Sequence, residues 1–485
     1  VNELIPNWLL QRAYLTPDRP ALSFGEKQWT FSQLKEEAMK KAGQLLSSHL
    51  KNGDRVALLG SSTPDMVFVI HACMLAGLEM VMLNSRLSKT EIEWQLKDAE
   101  VQQVIVADGL SDLVSGADAQ ILTVHDLDAR KETSFVPERS WQSDRTITVM
   151  YTSGTTGFPK GVRQTAGNHT SSALSSVLNL GLSDKDVWLC AMPLFHISGF
   201  SILVRSVLYG MEVSLYEKFD AYNAACDIRD GKATRMSVVA VTLEKVMEEL
   251  IQNDWTVSPE FRSMLVGGGP VARSTLERAQ MLGIPVLQTY GMTETSSQTA
   301  TLSSEDALRK NGSAGKPLFF NEIAIDGTLE PNEIGEILIR GPHVTPGYIG
   351  RFTDKQPLKD GWLHTGDLGY LDEEGYLFVM DRRSDLIISG GENIYPAEIE
   401  SVLMGHPDVQ EAGVCGVDDD TWGMVPAAFI VSQSEVTGDM LLKYCVDRLA
   451  KYKIPKQFVF VDQLPRNASN KLLRRELKKL LPSSQ

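Results

Sequence analysis

The chain has no CxxC pair, no apolar run that could cross a bilayer without interruption, and no excess of positive charge. Its five cysteines (Cys73, Cys190, Cys226, Cys415 and Cys445) are odd in number and scattered through 485 residues. This usage argues against a disulfide framework and a cysteine zinc site, and for a reducing cytoplasm. The longest apolar stretch, 66–83, is broken by His71, Gly77 and Glu79. It reads as a buried helix running into a strand rather than a membrane span. The opening 22 residues lack the basic start, apolar centre and small-residue cleavage site of a secretory signal. A cytoplasmic protein with no integral membrane association is therefore expected. The net charge of −15 opposes non-specific attraction to nucleic acid or anionic lipid. Phosphate ligands stay admissible, because local donors hold them.

A length of 485 residues exceeds what one hydrophobic core usually serves. Short apolar runs alternate with helical stretches over most of the chain, the pattern of an α/β protein with largely parallel sheets. "DRVALLG" (54–60) and "VQQVIVAD" (101–108) read as buried strands, and Ser88 with Glu91 makes a capping-box helix start between them. "TITVMYTSG", "FRSMLVGGGP" and "IPVLQTYGMTE" are apolar runs ending in small-residue loops, where α/β sheets usually hold ligands. From about 315 the texture turns to short strands and glycine-rich acidic turns, which suggests a β-rich subdomain. After Arg383 it becomes mixed again, so a boundary is drawn between a domain of residues 1–383 and one of 384–485. The last stretch, "KLLRRELKK", reads as an amphipathic terminal helix with Leu473, Leu477, Leu480 and Leu481 on one face.

The densest local signal is "TSGTTGFPKG" (152–161). Thr152, Ser153, Gly154, Thr155, Thr156 and Gly157 offer accessible backbone N–H groups and several hydroxyls, which suits a polyphosphate, and Lys160 adds a cation. The spacing after Gly154 does not make a Walker A loop.

"YTSGTTGFPKG" resembles the phosphate loop of the acyl-adenylate-forming (AMP-dependent synthetase/ligase) superfamily. "YGMTE" (290–294), "GWLHTGDLGY" (361–370), "DRRSDLIISGGENIYPAEIE" (381–400) and "LPRNASNKLL" (464–473) follow in that family's order. The resemblance implies a luciferase-like fold: a large N-terminal domain of packed α/β subdomains plus a β-rich subdomain, and a small mobile α+β C-terminal domain. It also implies ATP, Mg²⁺ and coenzyme A as partners of a small carboxylic acid. The acid is activated as an acyl-adenylate with loss of pyrophosphate, and a thiol then displaces AMP. "MPLFHISGFS" and "LPRNASNKLLRRELK" are most similar to the bacterial branch of the family that activates o-succinylbenzoate for menaquinone (vitamin K2) biosynthesis.

The family roles carry over position by position. Glu294 is expected to hold Mg²⁺ and Thr293 to donate to the α-phosphate, while Asp367 accepts from the ribose and Arg382 assists. Gly267, Gly268, Gly269, Gln288, Thr289, Tyr290 and Gly291 would form the adenine slot, with Tyr290 either stacking on the base or only packing. His196, Gly199, Arg205, Gly291, Met292 and Thr295 would line the acyl pocket. His196 is a gate where acid and thiol meet or an ordinary buried histidine. Arg205 either snorkels to the surface or clamps a second carboxylate. Ser384 takes the hinge position, where the family usually has an acidic residue or lysine. Rotation there would exchange Lys471, which bridges carboxylate and α-phosphate, for Ser389, Gly390 and Gly391 along a pantetheine channel. Trp422, Lys451 and Lys453 are candidates for the CoA end, with a solvated face as the other reading of the lysines. Asn470 stands where the family usually has glycine, and Asn tolerates a left-handed backbone. A carrier-protein-loading adenylation enzyme, a luciferase-like oxygenase and a non-catalytic nucleotide module remain as alternatives, and a homo-oligomer stays open.

Overall fold

The computed structural model describes residues 3–152, 158–269, 271–382, 385–389, 392–419, 422–432, 436–446, 448–449, 451–467 and 470–481. The side chains of 382, 392 and 393 are outside that description. The fold is mixed α/β, with a large N-terminal and a small C-terminal domain.

Parallel strands Thr146–Thr152, Glu79–Leu83, Arg55–Leu59, Gln103–Val106 and Gln120–Thr123 form the centre of one sheet. The antiparallel strands Lys160–Thr165 and Gly347–Ile349 extend it. Thr146–Met150 is buried throughout rather than alternating, because a central strand of such a sheet is covered on both faces. Helices Phe31–Leu46 and Pro64–Ala76 pack against each other, and residues 66–76 of the second are all buried. The capping box of Ser88 and Glu91 is formed as the sequence reads.

A second sheet runs parallel through Val213 and its neighbours to Ser263–Val266 and Val286–Met292. It then turns antiparallel through Ser297–Leu302, Ser313–Pro317 and Leu377–Arg382 to Trp362–Leu371 and Gly335–Arg340. The β-rich texture after 315 is thus the antiparallel half of a shared sheet. The C-terminal sheet is built on the long hairpin Val409–Asp419 and Gly423–Ser432, with Ile387–Ser389 and Gln457–Phe460 beside it.

The expected long terminal helix is not formed. One turn, Arg474–Leu477, leads into the 3-10 turn Lys478–Leu480. Leu477 is fully buried against the C-terminal sheet, whereas Leu480 is 38% exposed. Arg474, on the same turn, faces inward to carboxylates, so the apolar stripe ends after one turn. No described helix is long and apolar enough to cross a membrane.

Three buried imidazoles set a pH dependence. Burial pushes His71 and His343 down to about 4 and His169 to about 3. An unfolded chain protonates these rings at about 6.5, so below that pH it binds protons the folded chain refuses. Their contribution is complete above pH 6.5 and is lost as pH falls toward 4. The urea midpoint is expected to drop between pH 7 and pH 5, and to drop less in His169→Gln; a flat midpoint across that window contradicts the assignment.

Candidate active site

The glycine-rich turn lies between paired strands, with Lys160 opposite Thr152. Ser153, Gly154, Thr155, Thr156 and Gly157 lie outside the described residues. The Lys160 ammonium sits 5.1 Å from the centre of the Tyr348 ring. The Tyr348 hydroxyl donates to Glu294 Oε1 at 3.4 Å. Burial and then the Glu294 charge push the Tyr348 pKa up, so the phenol remains a donor. Glu294 stands in the short turn Thr293–Thr295 that follows Val286–Met292. Thr345 N donates to Glu294 O at 2.7 Å, and Gln164 Nε2 donates to Thr293 O at 2.8 Å. Gln164 accepts in turn from Thr148 Oγ1 at 2.7 Å. Buried bonds therefore tie the strands flanking the glycine-rich turn to Thr293 and Glu294. Tyr348 and Gln164 were missed by sequence reasoning, because contacts spanning 54 and 129 residues leave no local signature.

Gln288 pairs in register with Val266 and so lies beside Gly267, Gly268 and Gly269. Gly268 has φ +87°, a conformation glycine adopts without strain. Gln288 Oε1 accepts from Val271 N at 3.3 Å, while its buried Nε2 has no hydrogen-bond partner. An orphaned amide donor beside a glycine wall fits an acceptor nitrogen of a base. Thr289 Oγ1 is turned into the sheet, donating to Ala300 O at 2.8 Å. The Tyr290 hydroxyl donates to Asp367 Oδ2 at 2.7 Å, which joins two sequence-predicted residues 77 positions apart. Asp367 faces Arg382 across the strand pair; the Arg382 side chain lies outside the described residues. At Gly291 any Cβ would collide with the Ser297 carbonyl, so only glycine lets these strands approach so closely.

His196 caps the helix Ile197–Tyr209, its Nδ1 accepting from Ser198 N at 3.2 Å. Burial, and then the positive charge of Lys471, pushes its pKa down to about 4. The imidazole is thus neutral at pH 7, with the charge of Lys471 a secondary influence on it. Lys471 is exposed in a tight loop: its N–H donates to Asn467 Oδ1 at 2.8 Å, and Asn467 N donates to its carbonyl at 2.8 Å. Asn470 has φ +61°, the left-handed conformation expected of it. Arg466 anchors the loop, donating to Asn470 O at 2.9 Å and to Glu411 at 2.6 Å.

Arg205 does not snorkel; it is 1% exposed, and burial pulls its pKa down. Its Nη2 donates to Gln298 Oε1 at 3.0 Å and Ser297 Oγ at 3.2 Å, and the guanidinium lies 5.1 Å from the Trp188 ring centre. Its buried Nε has no hydrogen-bond partner, and no described carboxylate pairs with it. Ser201, one helical turn earlier, meets the same Ser297 Oγ at 3.4 Å. Ser297 and Gln298 carry no sequence motif and were not anticipated. At Gly199 a Cβ would run into the Pro193 carbonyl. Thr295 is fully buried and its hydroxyl, 3.0 Å from Met292 N, closes the turn instead of facing a pocket.

The described CoA candidates lie on the small domain. Ser389 pairs with Gly423, next to the exposed Trp422, while Gly390, Gly391 and Ser384 lie outside the described residues. Lys453 is held by Glu398 at 2.7 Å, whereas the neighbouring Lys451 is exposed.

This arrangement, Lys160 and Tyr348 beside a carboxylate turn with a lysine loop on the small domain, suits a nucleotide-dependent enzyme. The chain belongs to the AMP-binding enzyme family, whose model matches residues 9–349; the AMP-binding enzyme C-terminal domain matches 398–471. It is 50% identical over 488 residues to a 2-succinylbenzoate–CoA ligase of Geobacillus sp. (strain WCH70), covering 99% of this chain and 98% of the relative. The o-succinylbenzoate CoA synthetase of Bacillus subtilis bound to its acyl-adenylate intermediate is 47% identical, with TM-score 0.93 and 98% of each chain covered. A double-mutant form of that synthetase bound to a product analogue gives TM-score 0.77 at the same 47% identity, covering 98% of this chain and 99% of that one. With identity equal, the gap means that this chain's geometry is more similar to the adenylate complex than to the product-analogue complex.

The Lys471–His196 proximity is open to direct measurement. NMR titration should place the His196 pKa about 4, rising in Lys471→Ala by less than burial alone accounts for. Asn470→Val, which forces a branched side chain into a left-handed turn at a cost of ~1–2 kcal/mol, should reproduce that rise. Asn470→Gly should not. An unchanged His196 in Lys471→Ala contradicts the proximity.

Proposed function

We propose that the chain is an AMP-forming CoA ligase that converts o-succinylbenzoate, ATP and CoA to o-succinylbenzoyl-CoA, AMP and pyrophosphate. The observation that carries the choice of acid is Arg205. A buried cation without a carboxylate is costly unless a ligand supplies the anion. Ser198, Ser201 and Arg205 recur at helical spacing on one face of Ile197–Tyr209, running inward from His196. A dicarboxylate fits that line: one carboxylate reacts near His196, and the other meets Arg205, Ser297 and Gln298.

In the first step an oxygen of the aliphatic carboxylate attacks the α-phosphorus and pyrophosphate leaves. Both partners are anions, so the residues must offset charge as the new bond forms. Lys471 bridges the two as a point charge, Thr293 donates to the α-phosphate, and Lys160 with residues 152–157 binds the polyphosphate. Asp367 orients the ribose, assisted by Arg382, and the Gln288 amide with the 267–269 glycines takes the base. Glu294, a hard oxygen donor that accepts from the Tyr348 hydroxyl, would hold a magnesium ion, which when bound would neutralise phosphate charge. In the second step the CoA sulfur displaces AMP from the acyl carbon. The family resemblance puts His196 where the acyl group and thiol meet, and burial keeps it neutral there. The shared disposition with the adenylate complex supports a first-step conformation here, with a turn at Ser384 bringing Ser389, Gly390 and Gly391 to the acyl-adenylate. We place the reaction in the cytoplasm, in keeping with five free cysteines. The site draws on one chain, so a homo-oligomer is not required for it.

Acyl-CoA and AMP formation should be greatest with o-succinylbenzoate across a panel of benzoates, cinnamates and fatty acids; a better acid in that panel removes the named substrate. Lys471→Ala should lower adenylation about 10²–10³-fold while sparing thioester formation from pre-made acyl-adenylate. Equal loss of both half-reactions contradicts the two-step exchange. Arg205→Ala should raise KM for o-succinylbenzoate and narrow its advantage over monocarboxylates, and unchanged catalytic efficiency would sink the carboxylate-reading role.

A further inference from the structure

Asp381 lies in the strand Leu377–Arg382, just before the linker to the small domain, with its side chain 1% exposed. Both of its oxygens reach across that linker. Oδ2 accepts from Ala397 N at 3.0 Å, and Oδ1 accepts from Arg474 Nη1 at 2.6 Å. The first contact caps a helix. Pro396–Met404 begins after Tyr395, which supplies no side-chain cap, and its first residue is a proline without an N–H. Asp381 therefore gives the Ala397 N–H the partner that an N-cap residue would give, and its charge suits that helix end. The second contact reaches the lysine loop, because Arg474 follows Lys471 by three residues.

Arg474 has further partners within the small domain. Its Nε and Nη2 meet the two Glu400 oxygens at 2.9 and 2.6 Å, and its Nη1 lies 3.3 Å from Asp385 Oδ2. Burial opposes the charge on Arg474, but Glu400, Asp381 and Asp385 outweigh it and hold its pKa up. Glu400 stands on the helix that Asp381 caps. One carboxylate before the linker thus grips two connected parts of the domain behind it.

We infer that Asp381 is a conformational latch, a positioning carboxylate that seats the small domain, and with it Lys471, for adenylate formation and releases it for the thiol step. The inference rests on the two-step reading above. Asp381 precedes the proposed pivot at Ser384 and stays with the large domain, whereas Ala397, Glu400 and Arg474 move with the small one. A turn at the pivot parts Asp381 from both of its partners. Arg474 keeps Glu400 and Asp385 throughout, so it never becomes an uncompensated buried cation, the state that makes breaking a buried pair costly. The latch can therefore open without leaving that charge stranded.

The test is Asp381→Asn in the full chain. Asparagine still caps a helix through its one carbonyl oxygen, so the Ala397 bond can persist while both the charge and the acceptor facing Arg474 are lost. Adenylation, read as acid-dependent pyrophosphate release, should fall about tenfold in kcat with KM for ATP and acid nearly unchanged. Thioester formation from synthetic acyl-adenylate and CoA, measured on the same preparation, should be unchanged or faster. Asp381→Glu should restore part of the adenylation rate. Arg474→Lys, which keeps the charge but loses the forked contact, should show the same split between half-reactions and serves if the asparagine variant does not fold. Equal loss in both half-reactions, or no loss in either, overturns the latch. A wild-type chain that makes no acyl-CoA from any acid of the panel instead overturns the proposed function, a result independent of these variants.

Discussion

A positive charge on the small domain adds an influence, secondary to burial, that lowers the proton affinity of an imidazole on the large one. Lys471 exerts it only while three things hold. Asn470 must keep its left-handed turn, Arg466 must tie the loop to Glu411, and the small domain must sit as it does here. The first two are local and would survive any rotation. The third depends on the seam at Asp381, so the reach of Lys471 is decided some distance from the lysine itself.

Net charge says little about such a site. The chain carries −15 overall, yet the proposed substrates are anions. Lys160, Arg205 and Lys471 supply positive charge where it is needed, and each is handled differently. Lys160 lies against the Tyr348 face and Lys471 is exposed, so neither bears the desolvation cost of full burial. Arg205 is fully buried with a ring and two neutral acceptors around it. Of the three it has the most to gain from an incoming anion, which is why the proposed reading gives it the second carboxylate.

Much of this architecture was legible in the sequence, for physical reasons. Strands such as Arg55–Leu59 are continuous apolar runs because both faces of a parallel sheet are covered. The Ser88–Glu91 box is a local motif with a local cause. Asp367 and Tyr290 were each marked by their blocks, and the structure joins them by one hydrogen bond. The terminal helix was misjudged because periodicity reports a face but not where the chain leaves it, and Arg474, beside that stripe, is drawn to carboxylates. Burial of Arg205 was equally unreadable, since an isolated arginine in an apolar helix has the same local pattern whether its head reaches water or Trp188. Tyr348, Ser297 and Asp381 act through partners far away in the chain, where no spacing rule applies.

The backbone beside Arg205 holds the least favourable geometry in the site. Ser296 and Ser297 both have positive φ, +51° and +112°, without the freedom of glycine. Such residues cost of order 1–3 kcal/mol each and persist only where their surroundings over-determine them. Thr295 supplies one constraint, its hydroxyl 3.1 Å from both the Met292 and Ser297 carbonyls. Gly291 supplies the other, since its missing Cβ leaves the space the Ser297 carbonyl needs. A relaxed turn would swing Ser297 away from the helix Ile197–Tyr209. The strained one sets its hydroxyl between Ser201 and Arg205, the position from which a small donor can help read a carboxylate. The glycine of the "YGMTE" block is then required less for its own contact with a ligand than for the residue it allows to pass behind it.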